Sequence, residues 1–121
     1  MKFTLPLPPP INQTYGVNRN SNNPLYKRQP VKDWEEEAGW AVKIQQGSQK
    51  GTKTFTGPVR MSIYWYIAHG RDIDAGLKVL LDLFQKQQVY LNDRQVKKIT
   101  HMEVVEDKIN PRCEVELYET T

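Results

Sequence analysis

Asp72, Asp74, Lys78 and Asp93 are the residues of this chain whose types and spacing could do chemistry. Inside a helix, residues two apart point in different directions. In an extended segment they point to the same side, roughly 7 Å apart. Asp72 and Asp74 therefore converge best where a strand turns into a helix. The sequence around them has that form, with an apolar, β-branched run before the pair and a strongly patterned helix after it. An early helical position also sets Asp74 near the positive end of the helix dipole, which favours an ionised carboxylate. Two ionised acids without a partner repel, and a dication between them removes the repulsion. Magnesium takes hard oxygen ligands, keeps several waters and binds through a few carboxylates plus a substrate phosphate. Such an ion could activate a water and stabilise the charge that develops on phosphorus. Asp93 would be a third ligand, or a base that orients the water, if the chain folds it back beside the pair.

Lys78 lies four residues after Asp74 and so shares its helical face. Asp74, Lys78 and Asp82 run along the flank of the apolar sector. A lysine there could hold a non-bridging phosphate oxygen or offset transition-state charge. The same spacing also serves a surface ion pair worth about 0.3–0.5 kcal/mol, and D-x-D is a short, common string. His69 adjoins the pair as a turn residue or a substrate contact, and stands too far in sequence from His101 to argue for a zinc pair. The chain has no glycine-rich phosphate loop, nucleophile elbow or H-E-x-x-H motif. A nucleotide cofactor is not expected.

The elements that must position these residues follow from the chain in order. Met1 to Leu7 reads as a strand with Phe3, Leu5 and Leu7 on one face. Pro6 and the run Pro8-Pro9-Pro10 stop it. An asparagine-rich loop through Asn18, Asn20, Asn22 and Asn23 closes at Pro24. It is either a solvated surface loop or, with Arg19, Lys27 and Arg28, a loop that touches phosphate backbone. Val31 to about Gln46 is expected as a helix, with Pro30 in its first turn and Asp33 and Glu35 to Glu37 near its start. Its broad face carries Trp34, Ala38, Ala41 and Val42, with Trp40 and Ile44 partly beside them. Gly47 to Gly57 reads as a flexible linker. Pro58 to Ala68 is expected as a strand, with Val59, Met61, Ile63, Trp65 and Ile67 on one side. Ile73 to about Gln88 is expected as a helix with Ile73, Leu77, Leu80, Leu81 and Phe84 in one sector and Gly76 weakening its first turn. Asn92-Asp93-Arg94 reads as a turn. Two strands follow, Gln95 to Val105 alternating strictly and Arg112 to Tyr118. The order β-α-β-α-β-β predicts an α+β fold, one domain over residues 1–121, with helices on one face of a mixed sheet.

Composition narrows the class. The hydrophobic share is 38% and the charged share 26%, which fits a folded globular chain rather than a disordered one. The formal charge of +3 is a mild basic excess, more pronounced outside the acids if a metal occupies them. Cys113 is the single cysteine. It can form neither an internal disulfide nor a cysteine zinc site, and a packed or half-exposed thiol is expected. Without a signal-peptide pattern or an apolar run of spanning length, a membrane location is not expected, and a reducing cytoplasm fits.

Taken together, these pieces resemble the RusA family of Holliday-junction resolvases. The opening Leu5-Pro6-Leu7-Pro8-Pro9-Pro10-Ile11-Asn12-Gln13-Thr14-Tyr15 resembles the family's strand and proline-rich turn. Arg71-Asp72-Ile73-Asp74, Lys78 and Asp82 resemble R-D-[LI]-D-N-x-x-K-x-x-x-D. Leu91-Asn92-Asp93-Arg94-Gln95-Val96 resembles L-x-D-D-x-x-V. The resemblance implies a magnesium-dependent endonuclease acting as a homodimer on four-way DNA junctions, in the cytoplasm of a bacterium or a phage-infected host. It implies Asp72, Asp74 and Asp93 as the catalytic metal-site acids and Lys78 as the catalytic lysine. Arg71 and Asn12 would face DNA, and Arg94, Lys97 and Lys98 would line the path of the duplex arms. Ala75 stands where the family usually has asparagine, and Asn92 where it often has aspartate. Ala75 removes a polar group beside the acids, which keeps open a junction-binding homologue with weak or lost catalysis. A structural or regulatory α+β protein is the further alternative.

Overall fold

The strand from Val59 to Ile67 is the spine of the molecule, because its alternation is complete. Val59, Met61, Ile63, Trp65 and Ile67 are all buried, while the intervening residues are exposed or half-buried. The structure is a computed structural model. It describes residues 1–9, 15–17, 25–27, 29–49, 53–68, 70 and 76–120, with backbone alone for 15–17 and 25–27.

In chain order the strands are β1 (Lys2–Leu5), β2 (Tyr15–Val17), β3 (Leu25–Lys27), β4 (Val59–Ile67), β5 (Val96–Glu106) and β6 (Arg112–Glu119). The helices are α1 (Gln29–Ser48) and α2 (Leu77–Lys86), with a short 3-10 turn at Asp93–Gln95. The main sheet has the order β1-β6-β4-β5. β4 pairs antiparallel with β6 and parallel with β5. Parallel neighbours require a crossover, and α2 supplies it. The fold is α+β, as expected. The expected order is corrected in one respect: β2 and β3 pair antiparallel as a second, two-stranded sheet inside the asparagine-rich region read as loop.

The core lies between one face of the sheet and the two helices. Phe3, Leu5, Val115 and Leu117 join the β4 residues from below, and Val31, Trp34, Ala38 and Val42 from α1 close it from above. Burying each of the larger side chains is worth about 1.5–3 kcal/mol. Cys113 is buried in this core. Trp40 and Ile44, expected partly beside the apolar face of α1, are 62% and 70% exposed. The helix begins at Gln29, two residues earlier than expected, so the acidic cluster falls past its first turn.

α1 also seals one edge of the sheet. The Gln45 side chain accepts from the Thr4 amide (2.7 Å) and donates to the Thr4 carbonyl (2.6 Å). Gln49 does the same for Lys2 (3.0 and 2.9 Å). The two glutamine amides thus stand in for a neighbouring strand.

Three further expectations are corrected. α2 begins at Leu77 with Gly76 as its N-cap, so Gly76 precedes the helix rather than weakening its first turn. Its buried stripe is Val79, Leu80, Leu83 and Phe84, with Leu77 and Leu81 only half-buried. α2 meets α1 as well as joining the core on the sheet. β5 does not alternate strictly. Val59 pairs with Val96 but Arg60 with Lys98, and Met61 pairs with Ile99 but Ser62 with His101. Each shift leaves an extra residue on β5, a bulge. The two bulges return Val96, Ile99 and Met102 to the core side at a spacing of three.

Candidate active site

Gly76 joins the spine strand to the site. An ideal Cβ placed on it would lie 2.5 Å from Pro8 Cγ and 3.6 Å from the Trp65 ring. Its backbone, φ −116° and ψ 6°, is open to any L residue, so glycine is needed here for space alone. The proline-rich turn is held from its other side by Trp34, whose Nε1 donates to the Pro6 carbonyl at 2.8 Å. The turn that leads into the Asn12 region is therefore wedged between α1 and the start of α2. Among the described residues, Trp65 Nε1 is the one buried side-chain polar atom without a hydrogen-bond partner.

Arg71, Asp72, Asp74 and Asn12 lie outside the described residues, as do Ala75 and His69. Lys78 is exposed on the first turn of α2. Lys78, Asp82 and Gln85 follow at helical spacings of four and three, so they form one stripe. Gln85 Oε1 accepts from the Asp93 amide at 2.9 Å. Asp93 thus stands at the foot of the stripe that Lys78 heads, with about 10 Å of helix rise between Lys78 and Gln85.

The loop that carries Asp93 is fixed on three sides. Asn92 Oδ1 accepts from the Arg94 amide (2.8 Å), and Gln95 Oε1 accepts from the amides of Leu91 (2.8 Å) and Asn92 (2.9 Å), which makes a capping box. Gln95 Nε2 donates to the carbonyls of Phe55 and Gly57, both at 2.9 Å. Asparagine and aspartate cap about equally well, so Asn92 meets the backbone requirement of its position. Beneath the loop, the buried Tyr90 hydroxyl donates to the Leu81 carbonyl at 2.7 Å. Burial, then the negative charges of Asp93 and Asp82, push this phenol far above its ordinary value. Tyr90 remains a protonated donor that ties the loop stem to the middle of α2.

Sequence reasoning missed Gln85, Tyr90 and the Pro8–Gly76 contact. The capping box was readable as Asn92 followed three residues later by Gln95. The other contacts span 8, 9 and 68 positions between elements, and no local pattern encodes them. Arg94, Lys97 and Lys98 are exposed in succession after Asp93. The first bulge sets Lys97 and Lys98 together opposite Arg60. Among the described residues no three histidines, cysteines or acids gather as a metal site; a carboxylate triad requires Asp72 and Asp74.

The family model for the endodeoxyribonuclease RusA matches residues 6–118. The chain belongs to the RusA endodeoxyribonuclease family. RusA enzymes are hydrolases that act on phosphodiester bonds of Holliday junctions, and they depend in general on a divalent metal. The RusA match spans Asp72, Asp74, Lys78 and Asp93. No curated protein matches the chain. No helix among the described residues is long and apolar enough to cross a membrane.

Proposed function

We propose that this RusA-family chain resolves four-way DNA junctions by paired, symmetric nicks, with magnesium as its metal and a homodimer as its working form. Asp72, Asp74 and Asp93 hold the metal, and Lys78 is the catalytic lysine. The observation that carries this reading is the Gln85 hydrogen bond to the Asp93 amide, which sets an acid distant in sequence against the Lys78 face of α2. The donor set fits as well: three carboxylates without a histidine or cysteine suit a hard, oxygen-seeking cation rather than zinc.

Bound magnesium supplies Lewis acidity toward the phosphate and a more acidic water. The protein's own groups do the rest. Lys78 offsets charge on a non-bridging phosphate oxygen. Asp93, held by its backbone rather than by its carboxylate, keeps its oxygens available as ligand or as base. Arg71 and Asn12 face the DNA, and Arg94, Lys97 and Lys98 bind the backbone of the arms without reading sequence. A four-way junction has approximate two-fold symmetry, which two copies of one site match.

The test is incubation with a labelled four-way junction and a matched linear duplex, in magnesium or in chelator. Paired nicks on the junction alone, lost in chelator, are expected. Asp72→Asn and Asp93→Asn should abolish nicking and leave junction binding intact; nicking by either variant would overturn the metal assignment. A gel shift without nicks from the parent chain would favour the binding homologue to which Ala75 points.

A further inference from the structure

The turn from Asp107 to Pro111, which joins β5 to β6, is fixed by its own polar groups. Asp107 Oδ1 accepts from the amides of Ile109 (3.0 Å) and Asn110 (2.9 Å). Asp107 Oδ2 accepts from Arg112 Nη1 at 2.9 Å, and the same Nη1 donates to the Asn110 carbonyl at 2.9 Å. The Arg112 guanidinium is itself seated over the Tyr66 ring at 3.9 Å, and Pro111 has its φ fixed by its ring. Held on this framework, Ile109 is 95% exposed, the most of any large apolar side chain among the described residues. Turns are made mainly from glycine, proline and small polar residues. A β-branched hydrocarbon at the tip adds nothing to the core, so the fold does not call for it. It is also stiff at χ1.

The tip has a definite place. The Asp107 amide donates to the Ile67 carbonyl at 2.7 Å, so the turn begins beside the last residue of β4 and projects past it. Gly76, which opens α2 after the stretch that carries Asp72 and Asp74, lies against Trp65 near the same end of β4. The charges of the turn are balanced, Lys108 with Glu106 at 3.4 Å and Arg112 with Asp107 at 2.9 Å. A balanced tip has little hold on phosphate. What it offers is hydrocarbon, which suits the face of a base.

We propose that Ile109 is a wedge that enters the base stack at the branch point of the DNA and so favours junctions over linear duplex. Isoleucine is among the apolar side chains that proteins insert between base steps, and each insertion must unstack the step it enters. In a linear duplex that cost falls in full on the complex. At a four-way junction the stack is already interrupted where the strands exchange, so the cost is smaller. A tip fixed in advance loses little freedom on entry, and the difference between the two DNA forms becomes selectivity. The proposal rests on the junction-resolving reading and names the group that recognises the branch.

Fluorescence of 2-aminopurine tests it, with the probe beside the branch point of a four-way junction or at the matching step of a linear duplex, and the full chain added in chelator. The parent should brighten the junction probe and leave the duplex probe unchanged. Ile109→Ser should lose most of that brightening and narrow the ratio of junction to duplex affinity on the order of tenfold. It should melt as the parent does, because the side chain it replaces is exposed. Ile109→Leu should keep both the brightening and the ratio. Parent-level brightening and an unchanged ratio in Ile109→Ser would overturn the wedge alone. A parent without preference for the junction would overturn the wedge and the junction-resolving reading together. Loss of nicking in magnesium, with the brightening intact and sensitive to Ile109→Ser, would uphold the wedge and count against the nuclease reading alone.

Discussion

Pro8 and Gly76 touch across a gap that admits no side chain, and through them the first proline-rich turn rests on the residue that opens α2. The contact joins positions far apart in sequence, two residues after Asp74. Gly76→Ala must push Pro8 away or shift the helix start. It should cost about 1–3 kcal/mol, the range for overpacking a filled site. Urea denaturation measures the loss. A change under 0.5 kcal/mol would mean that the turn yields freely and does not brace the site.

Asp93 is placed by its neighbours' side chains, so its position can be loosened without removing its carboxylate. Gln85→Ala takes away the acceptor for the Asp93 amide. Folding stability should fall by about 0.5–1.5 kcal/mol. The magnesium concentration for half-maximal nicking should rise several-fold, with a matching loss in calorimetric magnesium affinity. Gln85→Glu retains the acceptor oxygen and should restore both. Unchanged magnesium affinity in Gln85→Ala would show that the loop holds itself.

Gln88, two residues past the end of α2, has φ 57°, the left-handed region that favours glycine. The Val89 amide then reaches back to the Phe84 carbonyl at 2.9 Å, as in a helix terminated by a glycine. A side chain in this conformation costs about 1–2 kcal/mol. Gln88→Gly should therefore raise stability, by about 1 kcal/mol once the flexibility of unfolded glycine is set against it. A lower melting temperature for the variant would contradict this.

Asp107 governs part of the response to acid. The Asn110 amide first, then the Arg112 guanidinium and the Ile109 amide, hold its carboxyl below the usual carboxylate range. Its folded value lies under the unfolded value of about 3.9. Its contribution is therefore present above that pH and is lost as pH falls through the folded value. Asp107→Asn should lower the melting temperature at neutral pH and converge with the parent in strong acid. Two curves that stay parallel down to pH 2 would show that the β5–β6 turn is not held by this charge.

The strands and helices were legible because their apolar residues recur at the periods of buried faces, most completely in β4. Two bulges hid the true face of β5, since Lys97 and Thr100 each add a residue that no alternation can anticipate. The face of α1 expected from Trp34, Ala38 and Val42 is the buried one, whereas Trp40 and Ile44, expected partly beside it, are exposed. Which side of a helix meets the sheet depends on its partner as well as on its own pattern. The candidate site divides in the same way. The acids and Lys78 could be nominated from spacing and resemblance. Gln85 and Tyr90 are ordinary residues that acquire a role only when α2 and the Asp93 loop pack together.

The glutamine seal on β1 bears on how this protein can aggregate. Growth of sheets into fibrils needs a free edge on each side, so that every added copy presents another. Gln45 and Gln49 already occupy the outward amides and carbonyls of Lys2 and Thr4. A copy that added at β5 would offer the next one only its own sealed β1 or an edge already used. Edge pairing would stop at two chains, and α1 acts as a terminator of strand polymerisation as well as a lid on the core.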